Sequence, residues 1–315
     1  MSTSTDTADT ADTAGTTPAK STPPRKLTKA EQRAVDAKTK LSSPWASVIA
    51  IVIAILWSIP TLGLFVTSFR PEIDIRTSGW WTFFSDPQVT WGNYDAVLYG
   101  GSTNFIDVFI NTIVITLPAV IIPITLALLA AYAFAWLEFR GRNILFVAVF
   151  ALQIVPIQIT MIPLLTQYNN WGIVGSFWPI WLSHTIFALP LAIFLLHNFM
   201  MDIPRSLVEA ARVDGAGHVK IFFQVLLPLL VPAIAAFGIF QFLWVWNDLL
   251  VGLVFGSAQE VAPLTVRLAD LTGTRGTAWH LLSAGAFVAM VVPVTVFLLL
   301  QRYFVRGLLA GGVKG

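Results

Sequence analysis

Glu209 and Arg212 stand three residues apart in EAARVDGAGHVKIFFQVLLP, Glu209–Pro228, between two segments apolar enough to cross a bilayer. At that spacing two side chains are neighbours on a helix face and can pair by charge, with each other or with a partner. Leu207 and Ala211, four apart, also share a face. Asp202 and Pro204 are start signals for a short helix running to about Val213. Gly215 and Gly217 end it and permit a sharp turn, and HVKIFFQV restarts a helix that enters the next apolar segment. Ala210 and Ala211 keep this helix–turn–helix knob narrow, so another surface can approach closely. From the residues alone it is either a socket for a partner or a connection lying on the membrane surface.

Other chemistries find less support. GAGHVK, Gly215–Lys220, is glycine-rich but lacks the preceding strand and the full spacing of a phosphate loop, so no motif for ATP hydrolysis is assigned. Asp248 lies toward the outer end of the fifth apolar segment, and His184 and His197 lie in the fourth. Ionisable groups inside a bilayer are costly and are functional candidates by default. However, no chain of carboxylates forms a proton relay, and no His, Asp or Glu pair has metal-ligand spacing. The sequence has no cysteine, which excludes disulfides and thiolate chemistry.

The elements that must position these residues follow from composition. Of 315 residues 56% are hydrophobic and only 11% charged, against about 25% charged in a soluble domain. The chain is therefore expected to be an all-α integral membrane protein. Its net charge of +2 is too small to imply a nucleic-acid partner. Six segments have the roughly 20 apolar residues a span needs: 45–68, 108–137, 144–168, 177–199, 222–255 and 281–304. Each contains proline, which bends helices and suits elements that tilt against one another. Residues 1–44 are read as a polar, disordered tail without the apolar core of a signal peptide, and its basic stretch is either a solvated charged helix or a contact for anionic lipid. Residues 45–315 form the transmembrane domain. Counting alternate loops puts fifteen of the nineteen Lys and Arg on the side of the N-terminus, so both termini and the knob at about 202–220 are expected in the cytoplasm. On the outer loop, Trp80, Trp81 and Trp91 are candidate interfacial anchors.

The knob resembles the EAA loop of ABC importer permeases, E-A-A-x-x-x-G-x(9)-I-x-L-P. Glu209, Ala210, Ala211, Gly215, Leu227 and Pro228 stand at the family spacing, and Val225 replaces the isoleucine. SFRPEID, Ser68–Asp74, and QRYFVRGLLAGGVKG, Gln301–Gly315, are similar to the carbohydrate branch, of the kind of the second maltose permease subunit. TSGWW and APLTVRLADLTGTRG look like permeases of alpha-glucoside importers. The resemblance covers roughly residues 45–315.

The resemblance implies a type I importer permease, multi-pass in a bacterial or archaeal cell membrane, with no catalysis of its own. Its partners would be a second permease, two ATPase subunits that carry ATP and Mg, and an extracellular or periplasmic substrate-binding protein. No cofactor or metal would be bound by this chain. Glu209, Ala210, Ala211, Asp214, Gly215, Leu227 and Pro228 would couple to the ATPase, and Gly311, Gly312 and Lys314 would contact it from the C-terminal end. A sugar path wants amides, hydroxyls and aromatic faces. Gln241, Trp244, Asn247 and Asp248 are the leading candidates for it, with Asn111, Thr112, Gln153, Gln158 and Trp246 behind them. Two alternatives remain: an ion-coupled carrier acting alone through Asp248, and glycerol-phosphate import on the same scaffold. The absence of Lys or Arg from the spans before Arg302 disfavours the latter.

Overall fold

The computed structural model describes residues 44–100, 105–271 and 278–312, with 302–312 described by their backbone alone. Residues 1–43 of the tail and Lys314 lie outside the described residues. Every regular element among those described is a helix. In chain order these are α1 (Pro44–Phe69), α2 (Glu72–Thr77), α3 (Gly92–Tyr99), α4 (Phe105–Trp136), α5 (Arg142–Ala151), α6 (Ile157–Asn170) and α7 (Trp178–Met201). After them come α8 (Arg205–Val213), α9 (His218–Ile221), α10 (Leu227–Trp246), α11 (Leu250–Phe255), α12 (Leu264–Leu271) and α13 (Trp279–Gly312).

Two compact units divide the chain, Met1–Ile59 and Pro60–Gly315. In the first, the described residues are the N-terminal part of α1, apolar and without a charge. Trp45, Ile55 and Trp57 are exposed there. The Ser58 hydroxyl donates to the Ala54 carbonyl at 2.7 Å, which satisfies it within the helix, as a lipid environment demands.

In the second unit, α4 and α7 pack along one another, and α10 packs against α4, α7 and α13. The seam of α4 and α7 is made of small residues, with Ala119, Ala127, Ala131, Ala188 and Ala192 all buried. In a bilayer, helices are held by close packing rather than by release of apolar surface from water, and small side chains permit it.

Among the described residues, five helices are long and apolar enough to cross a membrane. The sixth segment departs from the single helix expected over 144–168. Arg142–Ile154 and Ile157–Asn170 meet at 99°. The cause is local: Pro156 forces the preceding Val155 to ψ 118°, an extended conformation, and removes a backbone donor. The fifth span also ends sooner than expected, at Trp246 rather than 255. The Asp248 carboxylate accepts the N–H groups of Val251 at 2.8 Å and Gly252 at 3.2 Å, starting the separate short helix α11. Such side-chain capping competes with continuation of the helix before it.

The outer loop is organised around one buried charge. Arg70 is 4% exposed. Its guanidinium donates to the Gly79 carbonyl at 2.9 Å, the Asp74 carbonyl at 3.2 Å, Ser78 Oγ at 2.6 Å and Thr82 Oγ1 at 3.2 Å. The Asn93 amide donates to the carbonyls of Ser68 and Arg70, both at 2.9 Å. The SFRPEID stretch is thus the fastening that holds α2, the turn Trp80–Phe84 and α3 together. Trp80 packs onto α1 where Gly63 leaves room: a Cβ at Gly63 would lie 2.9 Å from its indole nitrogen. Trp81 and Trp91 are largely exposed.

Candidate functional site: the knob

The knob helix is α8. Pro204 occupies its N-cap position, while Asp202 caps the end of α7 instead. Its inward face centres on Val208, 3% exposed, whereas Leu207 is 45% exposed. The expected Leu207–Ala211 face is therefore rotated by one residue, with Ala211 partly buried beside the core.

The helix stops through paired backbone bonds. Ala216 N–H donates to the Ala211 carbonyl at 2.9 Å, and Gly215 N–H to the Arg212 carbonyl at 3.0 Å. This is a Schellman cap, which requires a left-handed residue. Gly215 supplies it at φ +77°, and Asp214 is the C-cap. The motif glycine thus has a backbone reason, and Gly217, at φ −76°, needs no such freedom.

The chain then restarts as α9. Pro228 lacks the N–H that would bond to the Gln224 carbonyl and crowds that carbonyl. The helix widens into a π turn over Phe222–Leu226 immediately before it. The π turn thus lies between the restart of the chain at α9 and the long helix α10.

Glu209 and Arg212 do not pair with each other. Among the described residues no basic group lies within 4.0 Å of the Glu209 carboxylate. Instead Glu209, Arg205 and Arg212 line a cavity of about 140 Å³ with Glu138, Arg142 and Trp136. Glu138 comes from the α4–α5 connection and Arg142 from the start of α5, neither of which sequence reasoning brought into the site. Tyr132 and His218 were missed as well. The Tyr132 hydroxyl lies 2.6 Å from His218 Nδ1, joining α4 to the restart of the knob. Their 86-residue separation left no local signal.

The membrane candidates divide. Gln241 and Trp244 line a cavity of about 270 Å³ with Gln153, Phe187, Phe237 and Phe240. Gln241 is 1% exposed, and its amide donates to the Ala119 carbonyl at 3.1 Å. Asn247 and Asp248 are not among the lining residues. The Asn247 amide donates to the Leu243 carbonyl. Asp248 caps α11 and lies 4.0 Å from His184 Nε2, beyond hydrogen-bond reach. Three other candidates are packing groups. Thr112 Oγ1 accepts Leu264 N–H, the Asn111 amide donates to the Glu260 carbonyl, and Trp246 Nε1 donates to the Ala289 carbonyl. Gln158 is exposed. Gly311 and Gly312 continue the backbone of α13.

Since Asn caps about as well as Asp, Asp248→Asn is expected to leave import within about twofold in an uptake assay. Loss of uptake by a normally inserted variant would return Asp248 to the transport path.

The family of "Binding-protein-dependent transport system inner membrane component" matches residues 123–309. The chain is 52% identical over 269 residues to the osmoprotective compounds uptake permease protein GgtD of Synechocystis sp., covering 84% of this chain and 90% of that one. It is 48% identical over 260 residues to the alpha-glucoside transport system permease protein AglG of Rhizobium meliloti, covering 79% and 68%. It is 35% identical to the melibiose/raffinose/stachyose import permease protein MelC of Bacillus subtilis, covering 85% and 96%. Among solved structures, a chain of a bacterial ABC transporter involved in import of the acidic polysaccharide alginate superposes with a TM-score of 0.67 at 20% identity, covering 89% of this chain and 99% of that one, a likeness of fold. The chain belongs to the binding-protein-dependent transport system inner membrane components: it is a multi-pass, non-catalytic permease subunit of an ABC importer.

Proposed function

We propose that this permease moves a neutral glycoside into the cell, of the alpha-glucoside or other oligosaccharide class, by alternating access driven from a separate ATPase. A second permease would complete the membrane body, two ATPase subunits carrying ATP and Mg would sit on the cytoplasmic face, and a binding protein would deliver substrate from outside. The observation that carries the coupling half is the Glu209 carboxylate, presented on a Schellman-capped helix with no cation among the described residues within 4.0 Å. Ala210 and Ala211 would let an ATPase surface come close, and the end of α13 at Gly311 and Gly312, with Lys314 beyond, would add a second contact.

The substrate half rests on the relatives' substrates and on the 270 Å³ cavity. Gln153 and Gln241 offer amides for hydroxyls, Trp244 offers an aromatic face, and no cation lines the cavity. A phosphate ester would want cations, so the neutral glycoside is favoured over glycerol-phosphate. Uptake of radiolabelled maltose, sucrose and glycerol-3-phosphate, each measured separately, with unlabelled glycerol-3-phosphate as competitor of the sugars, tests this. Saturable uptake of an alpha-glucoside that glycerol-3-phosphate does not inhibit is expected. Uptake of glycerol-3-phosphate, and of neither sugar, would overturn it.

A further inference from the structure

We propose that Tyr132 and His218 are positioning residues that tie the knob to the second span, so that α4 follows the knob when the ATPase moves it. This rests on reading the knob as the ATPase socket.

Tyr132 stands near the inner end of α4 and is 9% exposed. Its hydroxyl meets His218 Nδ1 at 2.6 Å. A tyrosine hydroxyl can donate or accept, so the bond forms with either ring-nitrogen tautomer. The same ring packs edge-on against Phe222, with centroids 5.4 Å apart, and against His218, 6.1 Å apart. His218 opens α9 and Phe222 opens the π turn. Four apart, they share one helix face, and Tyr132 is clamped to that face twice, once by polarity and once by packing.

This link lies where the chain is otherwise weakly joined. Between α8 and α9 the path is a turn at Gly215 with φ +77°, and beyond α9 the helix widens. Glycine turns and π turns yield more readily than regular helix. A push on α8 would be absorbed at these two places unless something held α9 to the membrane body. Val208, Ile221, Phe222 and Tyr132 belong to one buried cluster, but apolar packing alone permits sliding. The hydrogen bond fixes the register. From Tyr132 the path continues along α4, which packs on both α7 and α10, and Gln241 of α10 bonds the Ala119 carbonyl of α4. The segments around the 270 Å³ cavity would therefore move with α4, not with α10 alone.

The test uses the complete transporter carried with this chain from native membranes into vesicles. The chain has no cysteine, so Arg140→Cys with Val219→Cys, both exposed, give a spin-label pair across the link that is unique within this chain, and an otherwise identical complex without the two cysteines supplies the background signal of the other subunits. With the wild-type link, the label distance is expected to be the same in the nucleotide-free state and with ATP plus vanadate. With Tyr132→Phe, which removes only the hydroxyl, it is expected to diverge between the two states while ATP hydrolysis per complex persists. Uptake of labelled maltose or sucrose per ATP hydrolysed should fall about fivefold, the factor to which the net free energy of one hydrogen bond corresponds. His218→Ala, at an exposed position, should reproduce the effect, and it carries the test should Tyr132→Phe lower assembly. The double variant should be no worse than either single one, as expected for two partners of one interaction. Label distances that shift equally with and without the hydroxyl, or additive losses, would overturn the proposal. A purified complex without an ATPase would instead overturn the reading of the knob.

Discussion

Glu209→Lys is expected to lower import at least about a hundredfold, with the chain still inserted at normal abundance, because a mispaired interfacial charge costs several kcal/mol. Two features of the knob combine in this result. Among the described residues the carboxylate has no cation within 4.0 Å, so its removal breaks no ion pair there. It also shares a cavity with Arg142, Arg205 and Arg212. A lysine there would add a fourth cation to three, held in check only by Glu138. The ATPase would then meet repulsion where it needs attraction. Glu209→Gln, which keeps the shape and removes the charge, should lose less. Uptake and membrane abundance measured on the same cells decide the matter: wild-type uptake by Glu209→Lys would contradict the coupling role.

Arg70→Ala is expected to destabilise the outer loop by about 3–5 kcal/mol, since hydrogen bonds from a charged donor are worth roughly 1.5–3 kcal/mol each and the acceptors left behind are partly buried. The four oxygens that it gathers belong to α2, to Ser78 and Gly79, and to Thr82 in the turn Trp80–Phe84. Without them the loop loses its common centre. Arg70→Lys should rescue only part of the loss, because an ammonium cannot span the same fork of acceptors. Hydrogen exchange of the amides of residues 72–99 in purified protein would report it. Unchanged protection in Arg70→Ala would show that Arg70 is not the fastening. The consequence for transport would be weak response to an external binding protein, with the knob untouched.

The sequence carried the knob well because its signals are local. A short helix before a glycine turn, and a proline at the base of the next span, are each set by neighbouring residues, and Gly215 does adopt the left-handed turn. The inward face was shifted by one residue because Leu207 and Val208 are both apolar, and only the surrounding core selects Val208. Pro156 was visible, but prolines in other spans, such as Pro190 and Pro293, sit inside continuous helices. Whether a proline bends or breaks a span depends on whether neighbours meet the freed backbone groups. The transport path was least legible. Thr112 and Asn111 looked like hydroxyl and amide groups free for substrate. Their partners, Leu264 and Glu260, lie 152 and 149 residues away in the chain. Asp248 reads in the sequence as an ionisable group toward the outer end of the fifth span, although a carboxylate three residues before Val251 is also a helix-starting signal.

The most direct test of the central claim, that this chain is the membrane half of an ATP-driven importer and receives its work through the knob, is gentle purification of the tagged chain from native membranes with mass spectrometry of what accompanies it. Recovery of an ATPase together with a second multi-span permease, and loss of the ATPase from Glu209→Lys, is the predicted result. Recovery of the chain alone, with transport after reconstitution driven by an ion gradient and no ATP, would contradict it.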